Sequence, residues 1–164
     1  MHVMRHAGPP DVVVIALGPG ELLLESISEA VKQAGVKSGA VISGIGTLRT
    51  CRLHYIVHTE FPPEDRIFRI EKPLELLSIN GLIADGEPHL HVVVSHGENE
   101  MYAGHLEDGC EVAYLAELAV LAFNDLAIMR RFDDEKRINL LQPGVGRLDT
   151  TLCGGRESHP NLTD

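Results

Sequence analysis

Between residues 39 and 132 the sequence is a succession of short β-branched or alternating segments cut by turn signals. That pattern limits the fold more than any other feature of the chain. Residues 39–48 are small and β-branched. Residues 49–59 alternate, with Cys51, Leu53, Tyr55 and Val57 on one face and Arg52, His54, Ile56 and His58 on the other. Phe61-Pro62-Pro63-Glu64 turns the chain. Residues 66–71 and 74–84 resume as strands on either side of Lys72-Pro73, and Asp85-Gly86-Glu87-Pro88 is a second turn. Residues 89–96 and 100–105 read as a hairpin around Gly97-Glu98-Asn99. Residues 110–123 carry Ala and Leu that favour helix. Their place after a hairpin, with Val112, Tyr114 and Val120 at even positions, favours strand, and they are read as one. Residues 126–132 form the last strand.

Before this β-rich region the period changes once. Residues 11–17 are a β-branched strand, and Gly18-Pro19-Gly20 turns the chain. From Glu21 to Ala34, Leu23, Ile27, Ala30, Val31 and Ala34 share one helical face. Glu21 falls in the first turn, where negative charge suits the helix dipole, and Gly35 is placed to end the helix. One helix and many strands predict an α+β domain with a largely antiparallel sheet. The 164 residues suggest one domain. Residues 1–10 read as a flexible leader, 11–132 as the domain, and 133–164 as a C-terminal arm or tail.

Two imidazoles, His89 and His91, sit two apart on the first strand of the hairpin and therefore share a face. A three-residue loop at Gly97-Glu98-Asn99 pairs His96 with Glu100 and sets His91 opposite His105. A two-residue loop would set Leu90 there instead. Opposed side chains have Cβ atoms ~4.5–5.5 Å apart, so His91 and His105 can share a metal ion, with His89 as third ligand. Three histidines leave an open fourth position, the pattern of a catalytic or labile site for zinc or a similar divalent ion.

Charge bears on the same region. The formal net charge is −10, and no Lys or Arg occurs between Pro73 and Met129. That window holds ten acids, so the whole imbalance falls there. A local negative field attracts cations and repels phosphate backbones. Glu87 and Glu107 flank the histidines and are weak candidates for proton handling. Glu117, read as a buried carboxylate in an apolar run, is a third. Ser43-Gly44-Ile45-Gly46-Thr47 has the glycines of a phosphate loop but no following helix, so it reads as close backbone approach or a bulge. Arg130, Arg131, Lys136 and Arg137 lie near Asp133-Asp134-Glu135. They read as a salt-bridged surface and are the weak candidates for a DNA-binding patch.

Other classes are excluded or weakened. No run approaches the ~20 apolar residues of a membrane helix, and no signal peptide is read at the N-terminus. Cys51, Cys110 and Cys153 are far apart, odd in number and without a CxxC, so free thiols in the cytoplasm are expected. Asn161-Leu162-Thr163 matches a glycosylation sequon that, without a secretory signal, is read as chance. Three Tyr, four Phe and no Trp leave little platform for stacking single-stranded bases.

Several segments occur in a familiar order: Gly20-Glu21 opening a helix, Ser43-Gly44-Ile45-Gly46, Glu75-Leu76-Leu77-Ser78-Ile79-Asn80-Gly81, His89-Leu90-His91-Val92 and Gly104-His105-Leu106. Together they resemble the PPC (plants and prokaryotes conserved) domain over residues 12–132. The resemblance implies a twisted antiparallel sheet flanked by helices, a homotrimer, and a strand at residues 110–123. In plants the domain accompanies AT-hook DNA-binding motifs, and stand-alone prokaryotic members are commonly called DNA-binding proteins. Some of these resemble zinc-binding proteins through histidines matching His89, His91 and His105. This chain has no Arg-Gly-Arg-Pro, the basic segment of an AT-hook, and the family's Gly-Gly-His-Leu reads Ala103-Gly104-His105-Leu106. The reading is therefore a homotrimeric, metal-binding, regulatory PPC-domain protein. DNA enters by family association and is disfavoured by charge. The alternatives are a metal-dependent, hydrolase- or lyase-like enzyme acting on a small molecule, and a trimeric scaffold for protein partners.

Overall fold

A computed structural model describes residues 1–144. Cys153 and the Asn161 sequon lie outside the described residues. The chain runs β1 (Asp11–Leu17), α1 (Leu23–Gln33), β2 (Ser38–Ile56), β3 (Asp65–Ile70), β4 (Leu74–Ala84), β5 (Glu87–His96), β6 (Glu100–Leu106), β7 (Glu111–Ala122), β8 (Ile128–Asp133) and β9 (Ile138–Pro143). Residues 110–123 thus hold a strand, as read. The resemblance implied flanking helices, in the plural, and here the structure corrects it: among the described residues there is one helix. Only one segment has both the 3.6-residue apolar period and a stop signal.

That helix buries Leu23, Ile27 and Val31 against the sheet, each contributing roughly 1.5–3 kcal/mol of apolar burial. Gly35, at φ +68°, closes it: Gly35 N–H donates to Lys32 O and Val36 N–H to Val31 O, the paired bonds of a Schellman stop. Glu21 lies outside the helix rather than in its first turn. Its carboxylate instead accepts from Gly18 N–H at 2.5 Å, and Glu25 is the acid of the first turn.

The main sheet has the order β1-β7-β2-β4-β5-β6, all antiparallel, with β3 added to β2. Its organiser is β2. Over nineteen residues it pairs with β4 and then β3 along one edge, and with β7 and then β6 along the other. Because β6 is also paired to β5 and β5 to β4, the sheet curls until β6 meets β2 at Leu53↔Leu106 and His54↔His105. Register shifts at residues 41–43 and 46–50 let β2 bend. Close approach explains its glycines: a Cβ on Gly44 would lie 2.1 Å from Ile79 Cγ2, and one on Gly46 would lie 2.5 Å from Leu115 O. No phosphate loop is needed to account for them.

The core lies between the inner face of this curled sheet and α1, and includes Leu48, Leu53, Ile79, Leu90, Val92, Val94 and Leu106. Cys51 and Cys110 are free thiols within it. The outer face has no cover among the described residues. There Val12, Val14, Ile42, Ile45, Leu77 and Leu115 stand exposed. β8 and β9 form a separate two-stranded sheet, so part of the segment read as an arm is a hairpin. It is tied to the main sheet where Asp85 N–H donates to Ile128 O and Ile128 N–H to Ser38 Oγ. No helix among the described residues is long and apolar enough to cross a membrane.

Candidate metal centre

The hairpin loop is the three-residue one: His96 pairs with Glu100, and His91 faces His105. Alternation then settles which side chains share a surface. Leu90, Val92 and Leu106 point into the core, so His89, His91 and His105 point outward. Their ligating nitrogens all lie within 4.8 Å of one another. Ring centroids are 4.5 Å apart for His89 and His105, 5.3 Å for His91 and His105, and 5.5 Å for His89 and His91.

Closure of the sheet adds a fourth imidazole. Asn80, His91, His105 and His54 form one row across β4, β5, β6 and β2. The His54 ring stacks on His105 at 4.4 Å. His54 Nδ1–H donates to Glu107 Oε1 at 2.5 Å, and its Nε2 is 3.8 Å from Asp65 Oδ2. His54, His105 and Glu107 form a second group with donor atoms close enough for one ion. Both groups use His105, so they are alternatives for a single ion rather than two independent sites.

The electrostatics favour neutral imidazoles. Burial, then the charges of His89, His54 and His91, push His105 down to about 4, against a smaller opposing effect of Glu107. Burial lowers His89 as well, followed by Arg130, His91 and His54. A neutral imidazole has a nitrogen lone pair to give a metal ion, so desolvation holds these rings in the ligating form near neutral pH.

The remaining sequence candidates fall in different places. Glu107 is at the site, bonded to His54. Glu87 stands at the start of β5, and its backbone carbonyl accepts from Arg130. Glu117 is a correction: it is exposed, on the open outer face between Ala16 and Ile45, rather than buried. The apolar run around it belongs to a strand whose outer side has no cover among the described residues. Of the basic residues, Lys136 pairs with Asp133 at 3.1 Å, Arg137 sits over the Phe132 ring, and Arg131 Nε lies 3.3 Å from Met129 Sδ. Arg130 reaches the strands of the histidine cluster. In the sequence His54 stands on its own strand and Arg130 reads only as a weak DNA-binding candidate; their place beside the cluster comes from strand closure and hairpin docking, which no local period encodes.

Residues 4–124 match the model of the Plants and Prokaryotes Conserved (PCC, or PPC) domain. The chain belongs to this family. A metal-containing protein from Archaeoglobus fulgidus is 27% identical, with a TM-score of 0.73 over 87% of this chain and 99% of that one. A plant- and prokaryote-conserved protein from Pyrococcus horikoshii is 25% identical, with a TM-score of 0.68 over 85% and 94%. Among curated proteins, the bifunctional protein GlmU of Synechococcus sp. strain JA-3-3Ab is 27% identical over 152 residues. The match covers 87% of this chain and 24% of that protein. The chain therefore spans about a quarter of the length of the first curated relative it matches.

Proposed function

We propose that this PCC-domain protein binds one divalent ion, zinc by its donor chemistry, through His89, His91 and His105, and acts as a homotrimer. One observation carries the metal reading: three outward imidazoles with ligating nitrogens within 4.8 Å of one another, two of which, His89 and His105, burial holds toward the neutral form. Tetrahedral zinc bonds of about 2.0–2.1 Å place ligand nitrogens roughly 3.3 Å apart. Rotation of the side chains by about an ångström closes that gap. The metal-containing relative from Archaeoglobus fulgidus supports the same reading. When bound, such an ion supplies a Lewis acid with one open position.

The His54–Glu107 hydrogen bond beside His105 favours a second reading, a metal-dependent hydrolase- or lyase-like enzyme. In that case Glu107 accepts the His54 Nδ1–H hydrogen bond and so would hold the His54 ring against His105, beside the open position. Support for the trimer is the apolar outer face, which no described residue covers and on which Val14 is 73% and Ile45 55% exposed. Such a patch on a soluble domain marks an interaction surface.

The test is metal analysis of tag-free protein. About one zinc per subunit is expected, lost in His89→Ala and His91→Ala. An apo protein that takes up no zinc overturns the reading. Sedimentation of wild type and Ile45→Arg tests the trimer, which the arginine is expected to dissociate; a monomeric wild type sinks it.

A further inference from the structure

We propose that the histidine cluster binds a small oxyanion, a carboxylate or a phosphate, and that Arg130 is the side chain that recognises it. The inference rests on the metal reading above and adds the chemistry of what fills the open position.

Arg130 lies on β8, outside the residues matched by the family, so it is a feature of this chain beyond the common domain. Its Nη1 donates to Glu87 O and its Nη2 to Leu82 O, each at 3.3 Å. Leu82 is the register partner of His89, and Glu87 is two residues before His89 on the same face of β5. These two bonds fix the guanidinium beside the His89 end of the cluster. They use two of its five N–H donors. The other three, with the full positive charge, have no carboxylate within ion-pair distance among the described residues. Of the other described basic residues, Arg49, Arg69, Lys72 and Lys136 have such a carboxylate and the rest do not; what sets Arg130 apart is its place beside His89.

A guanidinium that is partly withdrawn from water and tied only to neutral carbonyls is a charge awaiting a partner. With a divalent ion on His89, His91 and His105, the His89 side would carry two adjacent cations; Glu87 is on the same face of β5, but among the described residues neither it nor any other carboxylate pairs with the guanidinium. Glu107 is on the other flank, engaged by His54. A ligand that puts one oxygen on the ion and another on the guanidinium fork satisfies both. Carboxylate and phosphate have that geometry; a neutral ligand or a cation does not.

The experiment uses the full chain loaded with Co(II), whose visible spectrum reports a change of ligand at the open position. Cobalt-loaded wild type, Arg130→Gln, Arg130→Lys and Arg131→Gln are titrated separately with inorganic phosphate and with acetate. Both Arg130 variants are expected to keep wild-type cobalt stoichiometry. Arg130→Gln should bind the preferred anion at least about tenfold more weakly. Arg130→Lys, which keeps the charge and loses the fork, should fall between, and Arg131→Gln should match wild type. The arm with the larger wild-type response identifies the oxyanion as carboxylate or phosphate. Cobalt bound with no anion response in wild type, or with equal anion affinity in Arg130→Gln, overturns this proposal and leaves the metal reading standing. Failure to bind cobalt at all overturns the metal reading and this proposal together.

Discussion

Replacing Gly81 by alanine should damage both the sheet and the histidine cluster through one atom. Gly81 faces Leu90 across β4 and β5, between the pairs Leu82↔His89 and Asn80↔His91. Its φ is +155°, a conformation that costs a residue with a Cβ about 1–3 kcal/mol. An added Cβ would also lie 2.0 Å from His89 O and 3.0 Å from Leu90 Cα. A carbon–oxygen contact needs about 3.3 Å, so the strands must part by roughly 1.3 Å at His89. Overpacking of this kind adds about 1–3 kcal/mol. The combined loss is about 4 kcal/mol, a fall in melting temperature of roughly 8–16 °C at 2–4 °C per kcal/mol for a chain of this size. Zinc bonds tolerate about 0.2 Å, so a shift of that size at the His89 backbone should weaken zinc at least about tenfold. Thermal melts with and without zinc, with competition against a chelating dye, measure both quantities. Gly97→Ala is the control: its φ is +58° but nothing lies within 4 Å of the added carbon. It should cost about 1 kcal/mol and leave zinc affinity unchanged. A Gly81→Ala protein that melts within about 2 °C of wild type, with the same zinc affinity, refutes the reasoning.

Three further outcomes are expected. His105, at about 4 in the folded chain against an ordinary 6.5, leaves the unfolded chain binding more protons between those values. Metal-free stability should therefore fall as pH drops from about 6.5 toward about 4 and level off below. After discounting for the group's exposure the loss is about 1–2 kcal/mol; urea midpoints in a chelator should show this slope in wild type and a flatter one in His105→Gln. Cys51 and Cys110 are buried, and a hydrogen bond with Cys110, then burial, pushes the Cys51 thiol up. Both should react with a thiol reagent only as fast as the native state opens, and prompt labelling of either would contradict this packing. Duplex DNA should be retained weakly, since of the four basic candidates Lys136 is paired, Arg137 stacks on Phe132 and Arg130 is tied to β4 and β5. Tight retention that falls steeply with salt would show instead that the hairpin presents these charges to phosphate.

What could be read from the sequence was local. The helix face at Leu23, Ile27 and Val31, its stop at Gly35, and the His91–His105 register follow from periods and turn chemistry that act within a few residues. The residues themselves gave one helix; the plural flanking helices came from the resemblance, and the structure holds one among the described residues. His54 and Arg130 were out of reach, because their neighbours are 51 residues away along β2 and β6, and 43 and 48 residues away at Glu87 and Leu82. Glu117 was misplaced for a related reason. An apolar run says that a strand is covered somewhere, not which of its sides is open.

The curl of the sheet around β2 also orders events in time. The β5–β6 hairpin brings His89, His91 and His105 together across a short loop, a contact that forms early in folding. His54 reaches His105 only when the two ends of the curl meet, after the long-range pairings of β2 with β4 and β7 are made. A refolding chain should therefore acquire a loose, three-imidazole claw for metal first and its His54–Glu107 neighbour last. Zinc present during refolding would act on the hairpin as a clasp, speeding the first stage and leaving the rate of closure to β2.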